Sequence, residues 1–315
     1  MPRSPVTVVV PTRDRADRLA GCLDSVLQAM DAGDELVVVD SASRDPGAVT
    51  AAVTAAQLRS GRSLPVRTLR LERPGVDRAR NAGWRAGRHT LLVFTDDDVV
   101  VDADWVDAFA RSYAAHPEVG FLTGRVLPPP AEGPARRPVA VKDDPLPQTF
   151  DRASVGNLGH GASTALPRAV LEAVGGWDEN LGAGSRFRSA PEADLYDRVL
   201  ALGWTGRYEP AAVGWHPQWR TPQELVRLDH GYGVGNGARL RKLWAADRVR
   251  CRAAAGDALW SWGLAGLLPA VRAGDRLSLA CTLSRLAGTA RGAVSSLRYR
   301  VVDGHLVPRT GRSAS

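Results

Sequence analysis

Four short β-rich runs alternate with segments of helical period, and that alternation constrains the fold more than any other feature of this chain. The runs are Val6 to Val10, Leu36 to Val39, Val66 to Leu71 and Leu91 to Phe94. Between them, Leu19, Cys22, Leu23, Val26 and Leu27 recur at helical spacing, as do Ala79, Ala82, Gly83 and Ala86, so both segments are predicted to be crossover helices. Strands that alternate with helices specify an α/β protein built on a central sheet. A further helix is expected from Trp105 to Ala114, capped by Asp102 or Asp104 and ended by Pro117.

The second half of the chain reads differently. From Pro128 to Pro147 the composition turns to Pro, Ala, Arg and Asp, which predicts an irregular loop within 128–150. A second helix-and-strand section is expected from Ser163 to Trp215, closed by a turn from His216 to Pro222. We therefore expect an α/β domain over residues 1–220 and a helical, basic extension over 221–315. No β pattern is visible in that extension. Its Leu279, Leu283, Leu286, Ala290, Val294 and Leu297 form an apolar stripe that predicts the packed face of a helix. Arg276, Arg285, Arg291 and Arg298 flank the stripe, which points to a peripheral membrane contact or a homodimer as alternatives to plain core packing.

Charge follows the same division, because residues 221–315 carry 15 Arg and Lys against six Asp and Glu, leaving a net −2 for the first 220. Nearly all of the basic residues are arginine, a skew in composition that weakens a nucleic-acid reading. The three cysteines, Cys22, Cys251 and Cys281, are too few for a disulfide framework and lack metal-ligand spacing. No secretion signal pattern or membrane-spanning run is visible, so a cytoplasmic protein is expected, with the inner membrane face as a peripheral site.

The chemistry concentrates at strand ends. Thr95-Asp96-Asp97-Asp98 follows the fourth run. If that segment stays extended, Asp96 and Asp98 share a face and can converge on one ligand. Hard cations such as magnesium and manganese take carboxylates together with substrate phosphates, whereas the plain alternative is a solvated acidic turn or helix cap. Asp40 ends the second run, where open α/β sheets bind ligands, and its alternative is an Asx turn with Ser41 and Ser43. No G-x-G-x-x-G follows the first run, and Gly231 to Gly237 lacks a preceding strand, so a dinucleotide site is disfavoured.

Seven blocks in order resemble family 2 glycosyltransferases of the GT-A fold. They are Val6 to Arg13, Val38 to Ser43, Ala79 to Gly83, Phe94 to Asp98, Gly175 to Glu179, Asp194 to Arg198, and Tyr208-Glu209-Pro210 leading to His216. The resemblance implies a GT-A mixed sheet flanked by helices and an inverting transfer from a nucleotide-diphosphate sugar, a UDP-sugar being the donor expected, to an acceptor hydroxyl. It assigns Thr12, Arg13, Asp40, Arg80, Asp96 and Asp97 to nucleotide binding. A divalent metal, Mn2+ or Mg2+, falls to Asp98 and His216, and the acceptor to Gly176, Trp177 and Asp178.

The family's pair of acids ahead of Asp-Leu is broken here, since Pro191 stands in the first place and Glu192 in the second. The catalytic base therefore falls to Glu192, with Asp194 next, and Asp194 is expected to pair with Arg198 one helical turn on. Ser189-Ala190-Pro191-Glu192 also has the form of a capping box, which would make Glu192 structural. Two other functions compete. A sugar-phosphate nucleotidyltransferase would need an N-terminal glycine-rich loop and lysine, yet the first lysine is Lys142. A nucleotide-sugar-binding protein without catalysis would follow from the loss of the acidic pair.

Overall fold

The computed structural model describes residues 3–129 and 139–309. Within it the chain divides into two compact units: the residues up to Arg152, with Asn157–Trp177 and Val199–Gln218, and then Ala153–Gly156, Asp178–Arg198 and the residues from Trp219 on. The part of the Pro-rich loop at 130–138 lies outside the described residues.

The first unit is an α/β sheet with flanking helices. Its elements are β1 (Thr7–Thr12), α1 (Ala16–Ala29), β2 (Glu35–Ser41), α2 (Pro46–Ser60), β3 (Val66–Leu71), α3 (Val76–Ala86), β4 (Leu91–Thr95), β5 (Val100–Val101), α4 (Trp105–Ala115), β6 (Val119–Leu127), β7 (Gln148–Phe150), β8 (Ser163–Pro167) and α5 (Arg168–Ala173). The last residues of α6 (Pro191–Ala201) and all of β9 (Thr205–Trp215) complete it. Strand order is β3-β2-β1-β4-β8-β6-β9-β5, with β7 beside β9. The first four strands run parallel, β8 runs against β4 and β6, and β6 runs parallel to β9, so the sheet is mixed.

All four predicted strands are present. Val8, Val9 and Val10 of β1 and Val37, Val38 and Val39 of β2 are completely buried, which explains their continuous apolar runs: strands covered on both faces have no polar side to alternate with. Each such side chain contributes about 1.5–3 kcal/mol by leaving water. Helix α3 sits close on these strands because Gly83 lacks a side chain; a Cβ there would lie 2.3 Å from Val9 Cγ1. Helix α2 was not foreseen. Its ends are nonetheless marked, since Asp45 accepts a bond from the Ala48 amide, Pro46 opens the helix and Gly61 closes it at φ 60°.

The order β3-β2-β1-β4 reverses direction between β1 and β4, and the carboxyl ends of strands at such a switch point are where open α/β sheets bind ligands. Thr12 stands opposite Asp40 in register, and Asp96 follows β4. The expected cap on α4 is not made. Asp104 has no side-chain cap bond, and the Asp102 carboxylate instead accepts Trp215 Nε1 at 2.6 Å.

The second unit is mainly helical. Beyond the greater part of α6 it holds α7 (Pro222–Ala246), α8 (Arg248–Ala258), a π-helical turn at Leu259–Leu264, α9 (Ala265–Ala273) and α10 (Arg276–Ser296). Thr221 and Glu224 form a reciprocal capping box on α7, and Asp247 caps α8. Two expectations fail here. The residues of α10 that pack inward are Cys281, Thr282, Gly288, Gly292 and Ser296, while Leu283, Leu286, Val294 and Leu297 of the anticipated stripe are exposed. The reason is a glycine seam between α7 and α10. A Cβ on Gly233 would lie 2.0 Å from the Arg285 carbonyl oxygen, and one on Gly292 2.0 Å from that of Val234, so backbones meet where leucines could not fit. The glycine-dense Gly231 to Gly237 segment is thus a helix face. The described residues also close on strands, an antiparallel hairpin of β10 (Tyr299–Val302) and β11 (His305–Pro308), turned by Asp303 and Gly304 at φ 48° and 74°.

Candidate functional site

In the first unit, the three aspartates after β4 do not continue the strand. The Val99 amide bonds back to the Asp96 carbonyl at 3.2 Å and makes a turn, so the shared face expected for an extended Asp96 and Asp98 is absent and each carboxylate has its own surroundings. Asp96 accepts Arg80 Nη2 at 2.8 Å. Arg80 also bonds Asp77 at 3.1 Å and lies over the Trp177 ring, 4.7 Å from its centroid. Asp97 turns inward, where Oδ2 accepts the Thr12 hydroxyl at 2.7 Å and Oδ1 accepts Arg15 at 3.0 Å. Burial, with the neighbouring Asp98 and Asp96 charges adding to it, outweighs the opposing Arg15 and lifts this carboxyl to about 6. Thr12 and Asp97 therefore spend these contacts on each other.

Asp98 is buried between an arginine and an imidazole. Arg15 Nη1 is 3.3 Å from Oδ2, and His216 Nε2 is 3.6 Å from Oδ1. The other ring nitrogen of His216 is buried with no hydrogen-bond partner among the described residues. Among those residues no group of three His, Cys, Asp or Glu side chains is arranged around a cation position. The pair of Asp98 and His216 can supply two ligands and no more.

Asp40 is buried at the end of β2, where Oδ1 accepts the Ser43 amide at 2.8 Å and Oδ2 accepts Arg70 Nη1. Arg13 is more open and lies 3.6 Å from Asp14. Gly176 and Trp177 are latched by Asn81, whose Oδ1 accepts the Trp177 amide and whose Nδ2 donates to the Trp177 carbonyl, both at 2.9 Å. Trp177 is only 1% exposed, so its surface serves Arg80 and the edge of Phe94.

Two residues of this cluster escaped the sequence reading. Arg15 lies just past the Thr12-Arg13 block. His160 sits between Gly159 and Gly161, and its Nε2 is 3.1 Å from the Val141 carbonyl. Burial pushes His160 down to about 4, with the positive charges of His216 and Lys142 adding to the effect, so its ring is neutral at physiological pH. The glycine next to it was the available signal, since a Cβ at Gly161 would lie 2.8 Å from Arg80 Nη2.

In the second unit, Lys242 joins two of the predicted residues. It donates to Asp178 Oδ2 at 2.7 Å and pairs with Asp194 Oδ1 at 2.5 Å, all three side chains being buried. Asp178 also accepts the Leu306 and Asn180 amides at 2.8 and 3.0 Å. Burial raises its pKa, but Lys242 and these bonds outweigh burial and hold it below the usual carboxylate range. The other oxygen of Asp194 accepts Arg198 at 3.1 Å, the helical pairing anticipated. Asp197 is likewise bound by Arg239 and Arg250.

Helix α6 does not start in the register of the capping box expected from Ser189 to Glu192. The Asp194 amide bonds to the Ala190 carbonyl at 3.1 Å, which makes Ala190 the cap residue, at φ 61°. Ser189 stands outside the helix and its hydroxyl donates to the Gly231 and Tyr232 carbonyls. Glu192 is half-buried, and its charge is felt at Tyr232, where burial is the larger cause of a pKa of about 12.

The fold has clear relatives. A mannosyltransferase from Pyrobaculum calidifontis, PcManGT in complex with GDP-Man and Mn2+, superposes with a TM-score of 0.65 at 18% identity, over 93% of this chain and 88% of that one. S. aureus TarS gives 0.56 at 13% identity over 99% of this chain and 60% of that one. Its 1-349 form in complex with UDP-GlcNAc gives 0.50 at 14% identity over 98% and 97%. No curated protein sequence matches. The model of Glycosyl transferase family 2 matches residues 7–173, more than half of the chain and every strand from β1 to β8. With the mixed GT-A sheet and the acidic turn at its switch point, that match makes the chain a glycosyltransferase of family 2.

Proposed function

We propose that the enzyme moves a sugar from a nucleotide-diphosphate sugar to an acceptor hydroxyl in a single displacement that inverts the anomeric carbon. The observation that carries this reading is the cluster of Asp96, Asp98, Arg80 and His216 at the carboxyl ends of β1 and β4. Sugar nucleotides in two related structures, GDP-Man and UDP-GlcNAc, support it. Asp40, Thr12, Arg13, Arg80, Asp96 and Asp97 are proposed to hold the nucleotide directly or to position the groups that do. Thermal shift with UDP, GDP and dTDP checks this. Binding to the folded state raises stability with the logarithm of ligand over Kd, so one nucleotide, UDP in our reading, should shift melting more than the others. Equal, negligible shifts for all three would count against a nucleotide site.

The residues fit a divalent cation at Asp98 and His216. The two groups stand too far apart for a hydrogen bond, and the Nδ1 of the same imidazole is buried without a partner among the described residues. Two protein ligands suit Mg2+ or Mn2+, which take their remaining oxygens from phosphate and water. Such an ion, when bound, would neutralise charge growing on the leaving diphosphate. Arg80 would orient Asp96, and Arg15 would hold Asp97 and Asp98 in their separate roles. Glu192 is the proposed general base for the acceptor hydroxyl. Asp194, with both oxygens on cations, is a positioning residue for α6, and Gly176, Trp177 and Asp178 shape the acceptor side through the Asn81 and Lys242 bonds.

The protein is proposed to act in the cytoplasm at the inner membrane face. No helix among the described residues is long and apolar enough to cross a membrane. Leu259, Trp260, Leu264, Leu268 and Val271 are nevertheless each more than half exposed on the π-helical turn and α9. Arg248, Arg252, Arg272 and Arg276 are exposed on the same helical stretch. Apolar side chains rimmed by arginine suit an anionic lipid surface. Vesicles with anionic lipid should carry the protein to the top of a flotation gradient, and Trp260→Ser with Leu264→Ser should leave it behind. Dimers in sedimentation that the same changes dissolve would instead make this the face of a second copy.

A further inference from the structure

A cavity of about 80 Å3 in the second unit is lined by Arg186, Phe187, Arg188, His230, Val234, Arg291 and Ser295. Three elements bring its cationic groups together. Arg186 and Arg188 lie on the strap before α6, His230 on α7 and Arg291 on α10. The strap is pinned by Phe187, which is 1% exposed, packs with Leu181, Val234, Ala238 and Leu306, and meets the Tyr299 ring edge-on at 5.2 Å. Phe187 is buried, while Arg186 and Arg188 on either side of it stay exposed. Arg188 does so at φ 64°, a left-handed conformation that a non-glycine residue holds only at a cost of order 1–3 kcal/mol.

The arginines packed inside this unit are paired with acids. Arg198 pairs with Asp194, Arg239 and Arg250 with Asp197, and Arg285 with Asp229. Arg186, Arg188 and Arg291 have no acidic partner among the described residues, and no carboxylate lines the cavity. Three guanidinium groups beside one small space repel each other unless an anion joins them. His230 and Ser295 add further polar groups; the Nδ1 of His230 faces the Ser284 carbonyl at 3.2 Å, so that nitrogen carries the proton.

We propose that this cavity binds a phosphate group. Guanidinium forks match the oxygens of phosphate in pairs, and three of them, two from the strap and one from α10, suit a tetrahedral dianion better than a planar carboxylate. None of the residues that line it is among those assigned to the nucleotide, and the proposal does not depend on the transfer reaction proposed above. Two sources share the chemistry: free inorganic phosphate, or a phosphate ester carried by a larger molecule.

Isothermal titration of the full chain tests this, using inorganic phosphate and glycerol 1-phosphate at an ionic strength held constant with chloride. Saturable one-to-one binding is expected. Arg291→Gln, and separately the pair Arg186→Gln and Arg188→Gln, should each weaken it by roughly tenfold or more, the loss of a charge-assisted bond. Melting temperatures check that both variants fold, and UDP binding should stay unchanged in them. Tighter binding of the ester would identify an esterified phosphate as the source, and tighter binding of inorganic phosphate the free ion. Phosphate binding no stronger than that of chloride, or binding that survives in both folded variants, would overturn the proposal.

Discussion

Glu192→Gln should lower kcat by roughly 10² to 10⁴ while leaving UDP affinity and melting temperature close to those of the unaltered enzyme. The alternative for this residue is a capping box on Ser189, and α6 begins one residue later than that box requires. Ala190 supplies the first carbonyl of α6, and Ser189 gives its hydroxyl proton to α7 carbonyls. Glutamine keeps the size and most of the hydrogen-bonding capacity of glutamate, so a packing role would survive the change. It cannot take a proton from a hydroxyl. Asp194 is a poor substitute base because Lys242 and Arg198 hold its two oxygens. A glutamine variant with wild-type turnover would remove Glu192 from the chemistry.

The largest expected effect on stability is at Lys242. Replacing it with Met keeps the stem of the side chain and deletes the ammonium, which leaves Asp178 and Asp194 buried without their shared counter-charge. Breaking one side of a buried pair costs about 3–5 kcal/mol. For the unit formed by α7 and its neighbours that is a large part of the net stability of an ordinary domain. Chemical denaturation should show a lower midpoint with an unchanged slope. The double change of Lys242→Met with Asp194→Asn should recover part of the loss, because it removes one of the stranded charges. A Lys242→Met midpoint equal to that of the wild type would mean that the two carboxylates find water or another cation.

β1, β2 and β4 were legible because they are short and mostly apolar, a pattern that burial on both faces explains, whereas β3 carries exposed Arg67 and Arg70. The acidic turn was legible by its place at the end of β4, but its shape was not: the bond from Val99 to Asp96 is a local choice of turn over strand that the three aspartates do not signal. Helix α2 was missed because only Val49, Val53 and Ala56 bury, too weak a stripe for periodicity, although Asp45-Pro46 and Gly61 mark its ends. The hairpin at the end of the chain was missed despite Asp303-Gly304, a strong two-residue turn signal.

The stripe on α10 misled for a physical reason. Periodicity assumes that large apolar residues face the core, whereas the seam with α7 is made of glycines, so the leucines are left outside. Long-range pairs were beyond reach altogether. Asp178 with Lys242, Asp197 with Arg239 and Arg250, and Asp98 with His216 join residues 118 or fewer positions apart that no local pattern connects. The family resemblance alone brought Asp98 and His216 together in advance.

The central claim is an inverting, metal-assisted transfer from a sugar nucleotide. Proton NMR of the donor selected by thermal shift, followed in manganese without an acceptor, tests it most directly. The account predicts that the enzyme hydrolyses an α-linked donor to the β-anomer of the free sugar before mutarotation. It predicts that excess EDTA stops this, that restored manganese restarts it, and that Asp98→Asn loses it while remaining folded. Release of the α-anomer, or an undiminished rate after exhaustive chelation, would contradict it.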